Sequence, residues 1–187
     1  MSIQLFKHNQ TAYESTLSLL EKKGKAAVIH PTGTGKSFIG FRLAEDYPDK
    51  NICWLSPSEY IYKTQLENLQ RESGEEKLQN ICFLTYARLM NMNEDELEEL
   101  AADYIILDEF HRCGAAEWGK GVTRLLERYP AAPVLGLSAT NIRYLDNCRD
   151  MADLFPGSFQ TGSDDREGTA NREPFGRGNP VFRSRAA

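Results

Sequence analysis

Short, nearly unbroken apolar runs recur along the chain at Ala26 to His30, Ile52 to Ser56, Ile81 to Thr85, Tyr104 to Leu107 and Val134 to Ser138. A strand open to water on one face alternates apolar with polar residues, whereas a strand covered on both faces does not. These five segments therefore predict buried strands. Between them the apolar period changes to that of a helix. Thr11 and Glu14 make a Thr-x-x-Glu start signal, Tyr13, Leu17 and Leu20 fall on one face, and Gly24 stops the pattern, which predicts a first helix opening at Thr11. Trp118, Val122, Leu125, Leu126 and Tyr129 share a second stripe that Pro130 closes. The acidic run Glu94 to Glu99, spaced by Leu97 and Leu100, reads as a solvated helix face. Strands alternating with helices predict an α/β fold with a mainly parallel central sheet.

Composition sets the limits of that unit. The chain has 187 residues, 41% hydrophobic and 26% charged, which suits one globular domain plus a tail. From Pro156 onward there is no Leu, Ile or Lys, but there are five Arg, five Gly and three Pro. Such a segment buries too little apolar surface to offset its ordering entropy, so 157–187 is expected to be a disordered Gly/Arg-rich tail behind a folded unit of 1–155. The net charge of −5 argues against gripping nucleic acid through bulk positive charge. Cys53, Cys82, Cys113 and Cys148 contain no Cys-x-x-Cys pair, so reduced thiols are expected rather than a metal or redox site. The N-terminus has neither a charged leader nor a long apolar stretch, and no run is long enough for a membrane span, so a cytoplasmic location with no membrane partner is expected.

The first strand leads straight into His30-Pro31-Thr32-Gly33-Thr34-Gly35-Lys36-Ser37 and then a helical pattern. Glycines let several backbone N–H groups converge on one anion, and the helix N-terminus adds its dipole. Thr32, Gly33, Thr34, Gly35, Lys36 and Ser37 are thus candidate phosphate-binding residues, with Lys36 reaching the terminal phosphates and Ser37 offering a hydroxyl to Mg²⁺. The general pattern wants Gly where this chain has His30, so the match is incomplete there.

The fourth strand delivers Asp108 and Glu109 at its carboxyl end, on the edge that a parallel sheet shares with the phosphate loop. There Asp108 is a candidate Mg²⁺ ligand, and Glu109 a candidate for polarising an attacking water. Glu109, Lys36 and Asp108 are the candidate catalytic residues.

In this order and spacing, Pro-Thr-Gly-Thr-Gly-Lys-Ser (31–37), Asp108-Glu109-Phe110-His111 and Ser138-Ala139-Thr140 resemble the first RecA-like lobe of superfamily 2 helicases of DEAD/DEAH type, close to those of restriction-enzyme translocating subunits. The resemblance covers about residues 3–155. It implies a three-layer RecA-like P-loop NTPase domain that binds ATP and Mg²⁺ and hydrolyses ATP to move along DNA or RNA, with DNA preferred. His30 at the position of the general glycine is ordinary in that family. The resemblance further implies that Gln10 reads the adenine edge, although a surface glutamine at a helix start is the alternative. It places Ser56, Pro57 and Ser58, and Thr85 and Tyr86, against the nucleic-acid backbone, with Gln65 on the same surface. Ser138, Thr140 and His111 would couple nucleotide state to movement along the strand.

Family members complete their ATP site with a second lobe that supplies arginine fingers. The chain ends before such a lobe, which implies a missing second lobe or a larger restriction-type complex, and a truncated or frameshifted product that hydrolyses ATP slowly if at all. Two rival readings are a small P-loop phosphotransferase and a non-catalytic nucleotide-binding remnant.

Overall fold

The computed structural model describes residues 3–73, 78–111, 116–140, 142–143, 149–150 and 159–160. Five parallel strands form the frame: β1 (Lys25–Ile29), β2 (Ile52–Ser56), β3 (Ile81–Thr85), β4 (Tyr104–Asp108) and β5 (Val134–Ser138). All five coincide with the apolar runs, shifted by one residue at β1 and extended by one at β4. Two-residue strands β6 (Ile142–Arg143) and β7 (Arg149–Asp150) pair antiparallel with each other, and β8 (Phe159–Gln160) pairs parallel with β1. The main sheet runs β3-β2-β4-β5-β1-β8. β8 lies within the stretch expected to carry no strand. The rest of that stretch, like Cys113 and Cys148, lies outside the described residues.

Among the described residues, six helices accompany the sheet: α1 (Lys7–Lys23), α2 (Ser37–Asp46), α3 (Glu59–Ser73), α4 (Tyr86–Asn91), α5 (Glu94–Glu99) and α6 (Ala116–Arg128). Residues of opposite parity on each strand build two cores. Ile52 and Trp54 of β2 and Ile106 of β4 join Tyr13, Ile39, Phe41, Leu43 and Leu69 from α1, α2 and α3. Cys53, Leu55, Ile105 and Leu107 join Leu89, Leu97, Val122 and Leu125 from α4, α5 and α6 on the other face. Burial on both faces is why these strands read as unbroken apolar runs. Trp54 is fully buried, packed between the rings of Phe41 and Phe83.

The first helix departs from its expected start. It opens at Lys7, a full turn before Thr11, whose hydroxyl donates to the Lys7 carbonyl instead of capping. Tertiary contacts of His8 and Asn9 stabilise the extra turn. The helix ends as expected at Gly24, whose N–H donates to Leu20 O at 2.9 Å. The acidic helix α5 is capped reciprocally by Asn93 and Glu96, buries Leu97 and turns Glu94 and Glu98 toward Arg124 and Arg128 of α6. Among the described residues, no helix is long and apolar enough to cross a membrane.

Candidate functional site

β4, β5 and β1 are neighbours in the sheet, and because they run parallel their carboxyl ends open on one edge. Each end carries part of a polar cluster: residues 30–37 after β1, 108–111 after β4 and 138–140 after β5. The His30 N–H donates to Ser138 O at 3.0 Å, which ties two of these ends together.

In the loop after β1, Gly33 (φ +83°) and Gly35 (φ +75°) adopt left-handed conformations that a side chain makes costly. The loop is clamped from α1. Asn9 Nδ2 donates to Thr34 O at 2.8 Å, and His8 Nε2 lies 3.0 Å from the same oxygen. The buried Asn9 also meets His30 Nδ1 through its Oδ1 at 3.1 Å, so one side chain holds the loop at both ends. Burial, followed by the nearby His8 and Lys36, pushes the His30 pKa down to about 4.

The acidic pair lies directly against this loop. Lys36 Nζ, almost buried, is 3.3 Å from Glu109 Oε1. Glu109 Oε2 lies 3.3 Å from both His111 Nδ1 and Ser138 Oγ, and His111 Nδ1 is 2.7 Å from Ser138 Oγ. Ser138 has one hydroxyl hydrogen, and its shortest acceptor is Thr140 O at 2.6 Å. With that hydrogen committed, the Nδ1–H of His111 is the donor facing Ser138 and Glu109. Burial would raise the Glu109 pKa, but the His111 hydrogen bond and the Lys36 charge outweigh it and hold the group down at about 2. Glu109 itself sits at φ +51°, a strained conformation for a residue with a side chain.

Asp108 is 1% exposed, and burial pushes its pKa up to about 6 against the hydrogen bond from Gln65. Gln65 Nε2 donates to Oδ2 at 2.8 Å, the Glu109 N–H donates to Oδ1 at 3.1 Å, and Tyr86 OH donates to the Asp108 carbonyl at 2.8 Å.

These residues fit a magnesium-chelated phosphate group. A nearly buried ammonium meets a carboxylate beside a glycine bend, and Ser37 and Asp108 carry hard oxygen donors of the kind that Mg²⁺ would take.

The structure thus gathers Gly33, Thr34, Gly35, Lys36, Ser37, Asp108, Glu109, His111, Ser138 and Thr140 on one edge, with the exposed Thr32 at the outer bend of the loop. Gln10 is exposed, and its amide donates to Glu14 Oε1 of its own helix at 2.9 Å; its neighbour Asn9 is the residue that reaches the loop. Two residues expected to contact nucleic acid are buried in this structure. Ser56 is fully buried with its hydroxyl on Ser58 O, and Tyr86 is 1% exposed with its hydroxyl on Asp108 O. Gln65 likewise faces Asp108 rather than an outer surface. Pro57, Ser58 and Thr85 stay half-buried at helix starts, where Ser58 and Thr85 accept backbone N–H groups from Ile61 and Arg88.

The family model for the type III restriction enzyme res subunit matches residues 2–143. No curated protein matches the chain. Among solved structures, the Pyrococcus furiosus Hef helicase domain superposes with a TM-score of 0.61 at 18% identity, covering 82% of this chain and 37% of that one. The Sulfolobus solfataricus SWI2/SNF2 ATPase core in complex with dsDNA gives a TM-score of 0.53 at 15% identity, covering 75% and 33%. The chain therefore spans well under half the length of either. With the family model matched over most of its length, the chain belongs to the type III restriction enzyme res subunit family, and it shares its fold with the Hef helicase domain and the SWI2/SNF2 ATPase core.

Proposed function

We propose that this chain is the ATP-binding half of a nucleic-acid-dependent motor, with DNA as its track. The observation that carries the reading is the 3.3 Å ion pair between Lys36 and Glu109, which joins the loop after β1 to the acidic pair after β4 across the intervening end of β5. In the free protein Lys36 and Glu109 neutralise each other. An arriving triphosphate draws Lys36 toward its terminal oxygens and releases Glu109 to orient and deprotonate a water in line with the γ-phosphate. Ser37 and Asp108 would hold Mg²⁺, which would supply positive charge against the charge that develops on the transferred phosphoryl group. Asn9 and His8 fix the loop by the Thr34 carbonyl so that its shape is set before nucleotide arrives.

Freed from Lys36, Glu109 retains the His111 and Ser138 contacts. These supply a route by which the charge state at the γ-phosphate reaches the segment after β5. DNA as the track is supported by the restriction-subunit family and by the dsDNA bound to the Sulfolobus ATPase core. Full turnover in this reading calls for a second RecA-like lobe supplying an arginine, so the chain alone hydrolyses ATP slowly.

The test is ATP turnover by the purified chain with and without double-stranded DNA, single-stranded DNA or RNA, together with transfer of phosphate to small acceptors. Stimulation by DNA supports the reading. Phosphate transfer to an acceptor, or ATP binding with no turnover under any condition, replaces it with a phosphotransferase or a non-catalytic nucleotide binder.

A further inference from the structure

The helix after β2 carries a polar residue in a packed position. Ile61, Gln65 and Leu69 stand at intervals of four on α3 and so share a face, and Leu69 of that face is buried in the core beside Leu66. Gln65 is half-buried there, and each of its polar atoms that is withdrawn from water needs a polar partner in return. Its amide satisfies half of that need, since Nε2 donates to Asp108 Oδ2 at 2.8 Å. The orientation follows from chemistry, because an ionised carboxylate only accepts and the NH₂ end must face it. The other half is open: Gln65 Oε1 is buried and has no hydrogen-bond partner among the described residues.

From this geometry we propose that Gln65 is a positioning residue for the magnesium site, orienting the Asp108 carboxylate through its amide N–H and receiving a water of the hydrated cation on its buried carbonyl oxygen. The inference rests on the nucleotide-binding reading above and deepens it. Mg²⁺ dehydrates reluctantly and is held through few direct protein ligands plus several waters, so a site for it needs acceptors for water hydrogens as well as a carboxylate. Gln65 Oε1 is an acceptor of that kind at the end of a side chain already bonded to the carboxylate. Outer partners of this sort fix ligand orientation, and their removal typically weakens metal binding about 10–100-fold. Among the described residues, Asp108 also receives the Glu109 N–H on Oδ1 and the Tyr86 hydroxyl on its backbone carbonyl. Among the described residues, Gln65 is therefore the side chain that hydrogen-bonds the Asp108 carboxylate.

The experiment measures the affinity of ATP for the intact chain by calorimetry, once in excess Mg²⁺ and once in EDTA, for the parent, Gln65→Met and Gln65→Asn. Gln65→Met keeps the volume and removes both polar ends, while Gln65→Asn keeps them on a shorter arm. A purely packing role moves both affinities together or neither. The proposal expects the EDTA affinity of Gln65→Met to match the parent while the gain conferred by Mg²⁺ falls about tenfold, with partial recovery in Gln65→Asn. Mn²⁺ bound in the presence of ATP, read by electron paramagnetic resonance, should show the same order. If a melting curve shows that Gln65→Met does not fold, Gln65→Asn alone decides: an undiminished Mg²⁺ gain overturns the proposal. A Mg²⁺ gain equal to the parent's in a folded Gln65→Met overturns it and leaves ATP binding standing. A parent chain that binds no ATP overturns both readings at once.

Discussion

The phosphate loop offers a comparison in which two glycines in the same kind of backbone conformation differ only in what surrounds them. Gly33 (φ +83°) and Gly35 (φ +75°) are both left-handed, but a Cβ on Gly33 would meet nothing within 4 Å, whereas one on Gly35 would lie 3.3 Å from Asn9 Nδ2 and 3.5 Å from the Phe6 ring. Gly33→Ala therefore costs backbone strain alone, about 1–2 kcal/mol. Gly35→Ala adds a crowding term of about 1–2 kcal/mol, in the range for overpacking. Asn9 cannot yield freely, because Nδ2 is on Thr34 O at 2.8 Å and Oδ1 is on His30 Nδ1 at 3.1 Å. At roughly 3 °C per kcal/mol for a domain of this size, Gly33→Ala should lower Tm by ~3–6 °C and Gly35→Ala by ~6–12 °C. ATP affinity separates them further, since moving Asn9 breaks the clamp on the loop: Gly35→Ala should lose at least tenfold more affinity than Gly33→Ala. Differential scanning calorimetry and ATP titration on both variants provide the numbers. Equal Tm shifts, or a larger loss at Gly33, would refute the argument that Asn9 and Phe6 hold the loop from behind.

Glu109→Gln removes the negative partner of Lys36 while keeping the side-chain shape, so ATP should bind at least as tightly as to the parent while turnover falls by about 100-fold or more, measured by calorimetry and phosphate release. Gly40→Ala would place a Cβ 2.5 Å from the buried Trp54 ring, so denaturant unfolding should show a loss of about 1–3 kcal/mol. For His30, the unfolded chain accepts a proton below about pH 6.5, which the folded chain resists until about pH 4. Its contribution to stability is therefore complete above pH 6.5 and lost as pH falls from there to 4; a His30→Gln variant should flatten that part of the unfolding profile, and an unchanged profile would contradict the assignment.

The fold was legible because both sides of the sheet are covered. Residues 52–56 and 134–138 read as strands without any alternation, which is the mark of a strand with a core on each face. Two segments of the candidate edge were legible for a different reason: phosphate chemistry demands Gly, Lys and a hydroxyl residue at fixed spacing in one short segment, and adjacent carboxylates end an apolar strand in another. What escaped depends on contacts between distant segments. Thr11 and Glu14 satisfied the local rule for a helix start, yet the chain gained the turn before it because Asn9 and His8 meet a loop 25 and 26 residues away. Ser56 and Tyr86 lay in segments matched to a family surface, and only the packing shows that they face inward. Gln65 did carry a sequence signal, a polar residue on an apolar helical stripe between Ile61 and Leu69. Its partner, 43 residues on, could not be read from that signal.

The most direct test of the central claim, that Lys36 and the acidic pair form one phosphate-binding centre, is the ATP affinity of the purified chain and of Lys36→Ala, each measured with and without Mg²⁺. The account predicts measurable binding by the parent, strengthened by Mg²⁺, and at least a tenfold loss in Lys36→Ala under both conditions. Equal affinity in parent and variant, or no binding by the folded parent, would contradict it.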